Sequence, residues 1–295
     1  MHGARDRVDE AFDLSRSVRD GRWLYIRNFM PHLSWMQPEG YSDTSTFRRE
    51  LRRLADAGRL DAAAMLYAAP RRPLEELYDT EADPEQTNNR AGDPRHQDTL
   101  RRLSAELYRW QLETRDAGFL AEPQMWARLA QGGTPWDIAR DESAYPLERL
   151  LEAADAVGRD DTAPQQRARL KDAHEGVRYW AAVGFNAREK LDAADLEALR
   201  AALADTDAVV RIEAAAALAR HGEGEAALPV LTAALADSTF EIALHAARAL
   251  QMLGPVAEPA RKDMAAALTR ARQAEATGET MAMFIRFSLE AALEP

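Results

Sequence analysis

The sequence contains no cysteine, and its basic residues are outnumbered by acidic ones. Without cysteine the chain forms no disulfide and has no thiol chemistry, but this absence says little about the compartment in which it works. The 38 Lys and Arg residues against 49 Asp and Glu give a net charge of −11. Because nucleic acid and anionic lipid attract basic surfaces, we expect neither as a nonspecific partner.

Long apolar runs and metal-binding patterns are also lacking. No stretch approaches the roughly 18 apolar residues of a membrane-spanning helix, so we expect no membrane association. The first ten residues, MHGARDRVDE, lack the apolar core of a signal peptide, so this polypeptide as written has no predicted export signal. The six histidines are dispersed, with no pair four residues apart, and predict no zinc site.

What is present begins with a small sheet. Residues 16–29 predict a β-hairpin, with Asp20-Gly21 accepting the positive φ angles of a tight turn. Leu77-Tyr78 predicts a further strand, preceded by Glu75-Glu76, which we interpret as solvated charge. Residues 98–116 predict a helix that covers the sheet. Its apolar face consists of Leu100, Leu103, Leu107 and Trp110.

A second helical stretch, at residues 44–69, lies between these strands and is broken at Gly58. The sequence predicts that its apolar residues make packing contacts. They are Phe47, Leu51, Leu54, Leu60, Met65 and Leu66.

Residues 73–94 read PLEELYDTEADPEQTNNRAGDP, and their Asp83-Pro84 and Asp93-Pro94 pairs each predict a helix start. The succession E-E-L-Y-D, D-P-E, N-N-x-A and D-P resembles the end of the sulfatase catalytic fold. There the family has P-x-E-L-Y-D-L-x-x-D-P-x-E-x-x-N-L-A before its last long helix. The resemblance extends to residues 5–32 and 110–114, covers residues 4–150, and is greatest to the N-sulfoglucosamine sulfohydrolase branch.

The resemblance implies hydrolysis of sulfate esters or sulfamates by a formylglycine in a C/S-x-P/A-x-R motif, beside a calcium ion. This chain has no such motif: Ser15-Arg16-Ser17-Val18-Arg19 has the wrong third residue, and Asp160-Asp161 lies in a polar linker. We therefore predict no catalytic residue and no metal ligand here. Calcium and formylglycine are expected only in a missing catalytic domain, and the chain matches the C-terminal subdomain alone.

The same resemblance places the N-terminal segment near the substrate pocket of intact sulfatases. It implies that four residues border the substrate cleft: His2, Asp6, Asp9 and Glu10. The alternative is a frayed N-terminus that lacks its support. A chain without the catalytic domain is also expected to expose the apolar surface that would contact it.

Residues 121–160 predict a connector of short helices that begin near Pro123, at Thr134-Pro135 and near Pro146. We expect Trp126 and Trp136 to lie in an interface between the sulfatase-like part and the C-terminal part of the chain. Stacking of these rings on a ligand is the alternative.

From residue 164 the sequence becomes rich in Ala and Leu and repeats itself. Residues 196–222 superpose on 228–254 at an offset of 32, and an earlier copy at residues 167–185 fits at an offset of 33. Each copy predicts two helices joined by an Asp-containing turn, stacked on its neighbours. The D-x-x-V-R-x-x-A-A-x-A-L phrase of residues 207–218 resembles HEAT-like repeats. Two closing helices come after Pro255 and Pro259, and we interpret the last one as a cap on the stack.

The predicted fold is thus α+β followed by all-α: a small antiparallel sheet with covering helices joined to a HEAT-like α-solenoid. We predict three parts: residues 1–120, a helical connector at 121–160, and repeats with their cap at 161–295. Two functions are compatible with this organisation. Either the chain is the C-terminal part of a sulfatase, inactive alone and docking on the catalytic domain, or it is a stand-alone HEAT module that binds another protein through the solenoid's concave face.

Overall fold

A computed structural model describes residues 1–294. Its sheet has four antiparallel strands in the order β1-β2-β3-β4. The strands are β1 His2–Arg5, β2 Ser15–Arg19, β3 Trp23–Asn28 and β4 Glu75–Asp79. Tyr25 lies opposite both Val18 and Leu77, so three buried side chains form a row across the same face of the sheet. The predicted hairpin and further strand are confirmed, whereas a frayed N-terminus is wrong, because residues 2–5 form an edge strand.

The turn between β2 and β3 works differently from the prediction. Positive φ angles occur at neither Asp20 nor Gly21. Instead the Asp20 carboxylate accepts hydrogen bonds from the backbone N–H groups of Arg22 and Trp23, at 2.9 and 2.7 Å. The side chain therefore closes a longer connection that needs no left-handed residue.

Three helices belong to the same part, which we call the sheet region (residues 2–114). They are α1 Thr46–Asp56, α2 Ala62–Ala68 and α3 Gln97–Thr114. On α3, Leu103 and Leu107 are buried against the Tyr25 face, as the periodicity predicts. Asp93 caps the turn that leads into α3, but Pro84 begins no helix, because the Asp83 carboxylate closes a turn onto Thr87 and Asn88.

The first two helices pack far less than predicted. Gly58, with φ +63°, separates them as expected. However, neither helix contains a buried residue, and Phe47 and Leu66 are 69% and 40% exposed. The packing contacts predicted for Phe47 and Leu66 are therefore wrong, whereas Leu51, Leu54, Leu60 and Met65 are half-buried.

The connector consists of α4 Glu122–Leu129, α5 Pro135–Arg140 and α6 Leu147–Asp155. Thr134 and Asp137 form a reciprocal capping box at the start of α5. Trp126 and Trp136 are 50% and 64% exposed, so their predicted place in an interface is wrong.

Eight further helices form antiparallel pairs, which we call the solenoid (residues 163–293). They are α7 Ala163–Arg169, α8 Glu175–Asn186, α9 Ala193–Ala202, α10 Ala208–Arg220, α11 Gly224–Leu235, α12 Phe240–Leu253, α13 Arg261–Ala276 and α14 Thr280–Leu293. Equivalent residues of the repeats, such as Leu199 and Leu231, are completely buried in one continuous core. This confirms the predicted stacking.

Helices α8, α10 and α12, the inner helices, are buried on nearly all sides. One side packs on the outer helices of the repeats, and the other packs on the sheet region and the connector. A helix enclosed in this way needs no polar face, which explains the Ala-rich sequence of α10. The inner face of the solenoid is thus covered by the chain's own N-terminal part, contrary to the concave binding surface proposed from sequence. None of the helices within residues 1–294 is both long and apolar enough to cross a membrane.

Candidate functional site

A cleft runs between the sheet region and the inner helices. Its two sides meet where the Phe12 ring packs on the His245 ring, with centroids 4.6 Å apart. Further along, buried Arg248 donates hydrogen bonds to Gln37 Oε1 at 2.9 Å and to the Pro38 carbonyl at 2.8 Å. Burial lowers the pKa of Arg248 to about 10, so it is positive at neutral pH. Two pockets lie along this cleft, and both are lined by Phe12 and Tyr179.

The first, the histidine pocket, has a volume of about 50 Å³. At its wall Glu213 of α10 accepts a hydrogen bond from Asn186 Nδ2 at 2.8 Å, and its other oxygen lies 2.7 Å from His245 Nε2. Burial raises the pKa of the Glu213 carboxyl, but the bonds from His245 and Asn186 outweigh burial and hold it below its ordinary value. The carboxylate thus joins helices α8, α10 and α12.

His32 lies on the opposite wall of the histidine pocket. Burial, and then the positive charge of Arg220, lower its pKa to about 3, so the imidazole is neutral at neutral pH. Three buried atoms around the pocket have no hydrogen-bond partner within the described residues, namely His32 Nδ1, His245 Nδ1 and Asn186 Oδ1. The volume corresponds to a few water molecules, which is too small for a drug-sized ligand.

The second pocket, which we call the Asp6 pocket, has a volume of about 210 Å³. Asp6 is held at its edge by Arg16, whose Nη2 lies 3.0 Å from Asp6 Oδ1 and whose Nε lies 2.7 Å from Asp116 Oδ2. Arg7, paired with Glu122 at 2.7 Å, forms another part of the wall. The pocket therefore presents two charged pairs above a partly apolar floor.

Of the four cleft residues predicted from sequence, only Asp6 lines this pocket. His2 lies against α3, where its ring stacks on Trp110 at 4.7 Å and Nε2 is 3.2 Å from Glu106 Oε1. Asp9 sits in a tight turn with φ +50°. Glu10 is fully buried and accepts a hydrogen bond from the Gly40 N–H, and burial raises its pKa. The structure therefore separates the four residues.

Within the described residues the cleft lacks the groups of a formylglycine and calcium centre. Neither pocket is lined by Ser, Thr or Cys, and Ser15 lies inside the sheet on β2. Among residues 1–294, no three His, Asp or Glu side chains are placed to hold a metal ion. The residues present therefore do not fit a calcium and formylglycine centre.

Sequence reasoning missed the polar residues of the histidine pocket, although a signal existed. Glu213 and His245 occupy the same repeat position, 32 residues apart, where the first copy has Trp180. Polar side chains at a position that faces inward on otherwise apolar helices indicate a buried network. A comparison of the repeats position by position identifies both residues.

Comparison with known proteins agrees with both halves of this architecture. Residues 164–251 and 196–279 match the family of HEAT repeats. An ulvan-active sulfatase from Formosa agariphila is 34% identical over 141 residues, which are 48% of this chain and 24% of that protein. No solved structure matches significantly. The chain therefore contains HEAT repeats, is partly homologous to a sulfatase, and spans about a quarter of that curated relative.

Proposed function

We propose that this chain is the C-terminal part of a sulfatase, which docks on a catalytic domain and borders its substrate cleft. Two findings support the proposal: the similarity to part of a sulfatase, and the absence of a fitting catalytic centre among the described residues. In this proposal calcium and formylglycine belong to the catalytic domain. The isolated chain therefore hydrolyses no sulfate ester.

The observation that carries the proposal is the partly uncovered apolar side of α1 and α2. Phe47, Leu51 and Leu54 recur at i, i+4 and i+7 on α1; Phe47 is 69% exposed, and the two leucines are half-buried. Leu66 and Tyr67 of α2 are each 40% exposed. The two helices are in contact, and exposed apolar side chains on neighbouring helices are typical of an interaction site.

A groove beside α2 extends the same surface onto the sheet. It has a volume of about 340 Å³ and is lined by Ile26 of β3 and Tyr78 of β4 together with Trp35 and the two exposed residues of α2. The α3 side of the sheet is already packed, so this groove lies on the opposite face. We propose that the catalytic domain covers it, and that Asp6 lies at the border of the resulting substrate cleft.

Reconstitution tests this function. The chain would be mixed with the separately expressed remainder of the Formosa agariphila sulfatase, and sulfate release from ulvan would be measured by ion chromatography. We expect no release by the chain alone, complex formation on mixing, and more release than from the catalytic part alone. The double variant Phe47→Ser/Leu66→Ser should weaken the complex at least about tenfold.

Val256→Ser is the matched control, because Val256 is 41% exposed on the solenoid, away from α1 and α2. It should leave the complex unchanged. The proposal is wrong if the purified chain alone releases sulfate, or if Phe47→Ser/Leu66→Ser binds the catalytic part as well as Val256→Ser does.

A further inference from the structure

A larger cavity lies on the other side of the sheet, away from the cleft and from α1 and α2. This junction pocket, where β3, α3 and α6 meet, has a volume of about 480 Å³. That volume falls within the range of about 300–1,000 Å³ typical of small-molecule sites. The proposed docking function makes no use of it.

The floor of the junction pocket is apolar and its rim is aromatic. Phe29, Leu107 and Leu151 are each at most 3% exposed and form the floor. Tyr108 of α3 stands at the rim, 44% exposed, with a flat apolar ring and a polar hydroxyl. This combination suits a ligand with one apolar face and polar edges.

One wall contains a polar group that is buried without a partner. Gln111 of α3 is only 2% exposed, and its Nε2 makes no hydrogen bond within residues 1–294. Buried amide groups are nearly always paired, so an unpaired one in a pocket wall indicates a ligand acceptor. On the sheet side, Tyr25 donates a 2.7 Å hydrogen bond to Glu75. Glu75 is therefore part of this wall and not solvated charge.

On the third wall, two arginines pair with a single carboxylate. Arg27 Nε lies 2.9 Å from Asp155 Oδ1, and Arg159 Nη2 lies 2.9 Å from Asp155 Oδ2. Burial raises the pKa of Asp155, but the two guanidinium groups outweigh it and hold the pKa below its ordinary value. The lining also contains Arg169 and the carboxylates of Glu75 and Glu152, so the charges of this pocket balance. The excess of positive charge lies next to it.

Arg159 also lines a neighbouring basic pocket of about 510 Å³. There Arg188 donates only to neutral oxygens among the described residues, those of Gln166, Thr162 and the Arg159 and Asp160 carbonyls. Lys190 stands exposed at the same site. Positive charge of this kind is conspicuous in a chain of net charge −11.

We propose that the junction pocket binds one unit of an acidic carbohydrate. The sugar ring packs on Tyr108 and the apolar floor, and its hydroxyl groups bond to Gln111, Glu75 and Glu152. Its anionic group points across Arg159 towards Lys190. This site is separate from the catalytic cleft and would hold a sugar chain whether or not the protein is docked on a catalytic domain.

Saturation-transfer NMR on the whole chain tests the proposal with glucose 6-sulfate and glucose as the observed ligands. Inorganic sulfate has no protons, so its affinity is measured by how it displaces glucose 6-sulfate. We expect glucose 6-sulfate to bind with a Kd on the order of 1 mM, glucose more weakly, and sulfate weakest. Tyr108→Ala should weaken both sugars about tenfold, whereas Lys190→Ala should weaken only the sulfated sugar. Trp136→Ala is the matched control, because it removes an exposed aromatic ring elsewhere.

Ala105→Trp, at an exposed position of the pocket rim, is a second variant that fills the site and should abolish binding. Sulfate binding as tight as glucose 6-sulfate, unaffected by Tyr108→Ala, would show a simple anion site and overturn the proposal. So would the absence of saturation transfer to both sugars. Because the measurement needs no catalytic domain, its result is independent of the docking experiment.

Discussion

Arg72 donates two hydrogen bonds to the carboxylate of Asp13, and both side chains are almost completely inaccessible, at 0% and 1% exposure. Arg5 of β1 pairs with the same carboxylate at 2.8 Å. Arg72 also donates to the Met30 carbonyl at 3.0 Å. The buried Asp13–Arg72 pair thus connects β1, the segment after β3 and the segment before β4.

Replacing Asp13 is expected to destabilise the folded protein. Asp13→Asn leaves the Arg72 guanidinium buried without its counter-charge, which should lower the free energy of unfolding by about 3–5 kcal/mol. Urea unfolding followed by circular dichroism measures this change. Glu50→Gln is the control, because Glu50 and Arg53 form an exposed pair that should contribute nothing measurable. A loss below about 1 kcal/mol for Asp13→Asn would contradict the prediction.

Acid should destabilise the protein through His32. Its pKa is about 3 in the folded chain, below the ordinary value of about 6.5 in the unfolded chain, so the unfolded state binds the proton first. Stability is therefore complete above pH 6.5 and falls as the pH drops towards 3, by up to about 1.4 kcal/mol per pH unit.

Urea midpoints at pH 7 and pH 5 test this dependence. His32→Asn removes the titrating group and should flatten the slope relative to the wild type. His221→Asn, at the partly exposed end of α10, should leave the slope as it is. Equal slopes for the wild type and His32→Asn would refute the assignment.

Equivalent leucines in successive repeats should contribute equally to stability. Leu199 and Leu231 are both 0% exposed in the solenoid core. Leu199→Ala and Leu231→Ala should each lower the free energy of unfolding by about 2–5 kcal/mol, through lost burial and the cavity left behind. Val256→Ala at the surface is the control. If one substitution lowers the free energy of unfolding by less than half as much as the other, the two repeat positions are not equivalent.

Gly184 lies in close contact with a neighbouring helix, whereas Gly224 does not, so alanine substitutions at the two positions test the effect of steric crowding. A Cβ on Gly184 would clash with Nε2 of Gln166, which is fully buried and bonded to the Ala156 carbonyl. Gly184→Ala should therefore destabilise the protein by about 1–3 kcal/mol. Gly224→Ala meets no atom closer than 3.9 Å and should be neutral or slightly stabilising. Thermal unfolding of both variants decides the point, and equal melting temperatures would contradict it.

The sequence predicted most accurately what depends on local periodicity. Helix α3 and the repeats follow from leucines at helical spacing, because one apolar stripe fixes both the helix and its buried face. The hairpin was also predictable, but its turn was not, because the Asp20 carboxylate replaces the positive φ angles with side-chain hydrogen bonds. The strand pattern thus predicts the hairpin, but it does not determine how the turn closes.

Contacts between distant segments explain the remaining differences. The apolar pattern of α1 is as regular as that of α3, yet Phe47 is exposed, because a pattern identifies a face but not the surface that covers it. Likewise Phe12 covers His245 across more than two hundred residues of sequence. The histidine pocket depends on such contacts, which the sequence does not reveal. The sequence alone shows only that Glu213 and His245 are polar residues at the same repeat position.

The bonds from Arg248 to Gln37 and Pro38 join residues that are 211 and 210 positions apart. At synthesis rates of about 5–20 residues per second, Gln37 emerges from the ribosome about 10–40 s before Arg248 does. During that interval Gln37 and the Pro38 carbonyl lack their partner on α12, although the neighbouring residues already pack on α8 and α10. Slower synthesis between α3 and α12 would lengthen the interval before the cleft is complete.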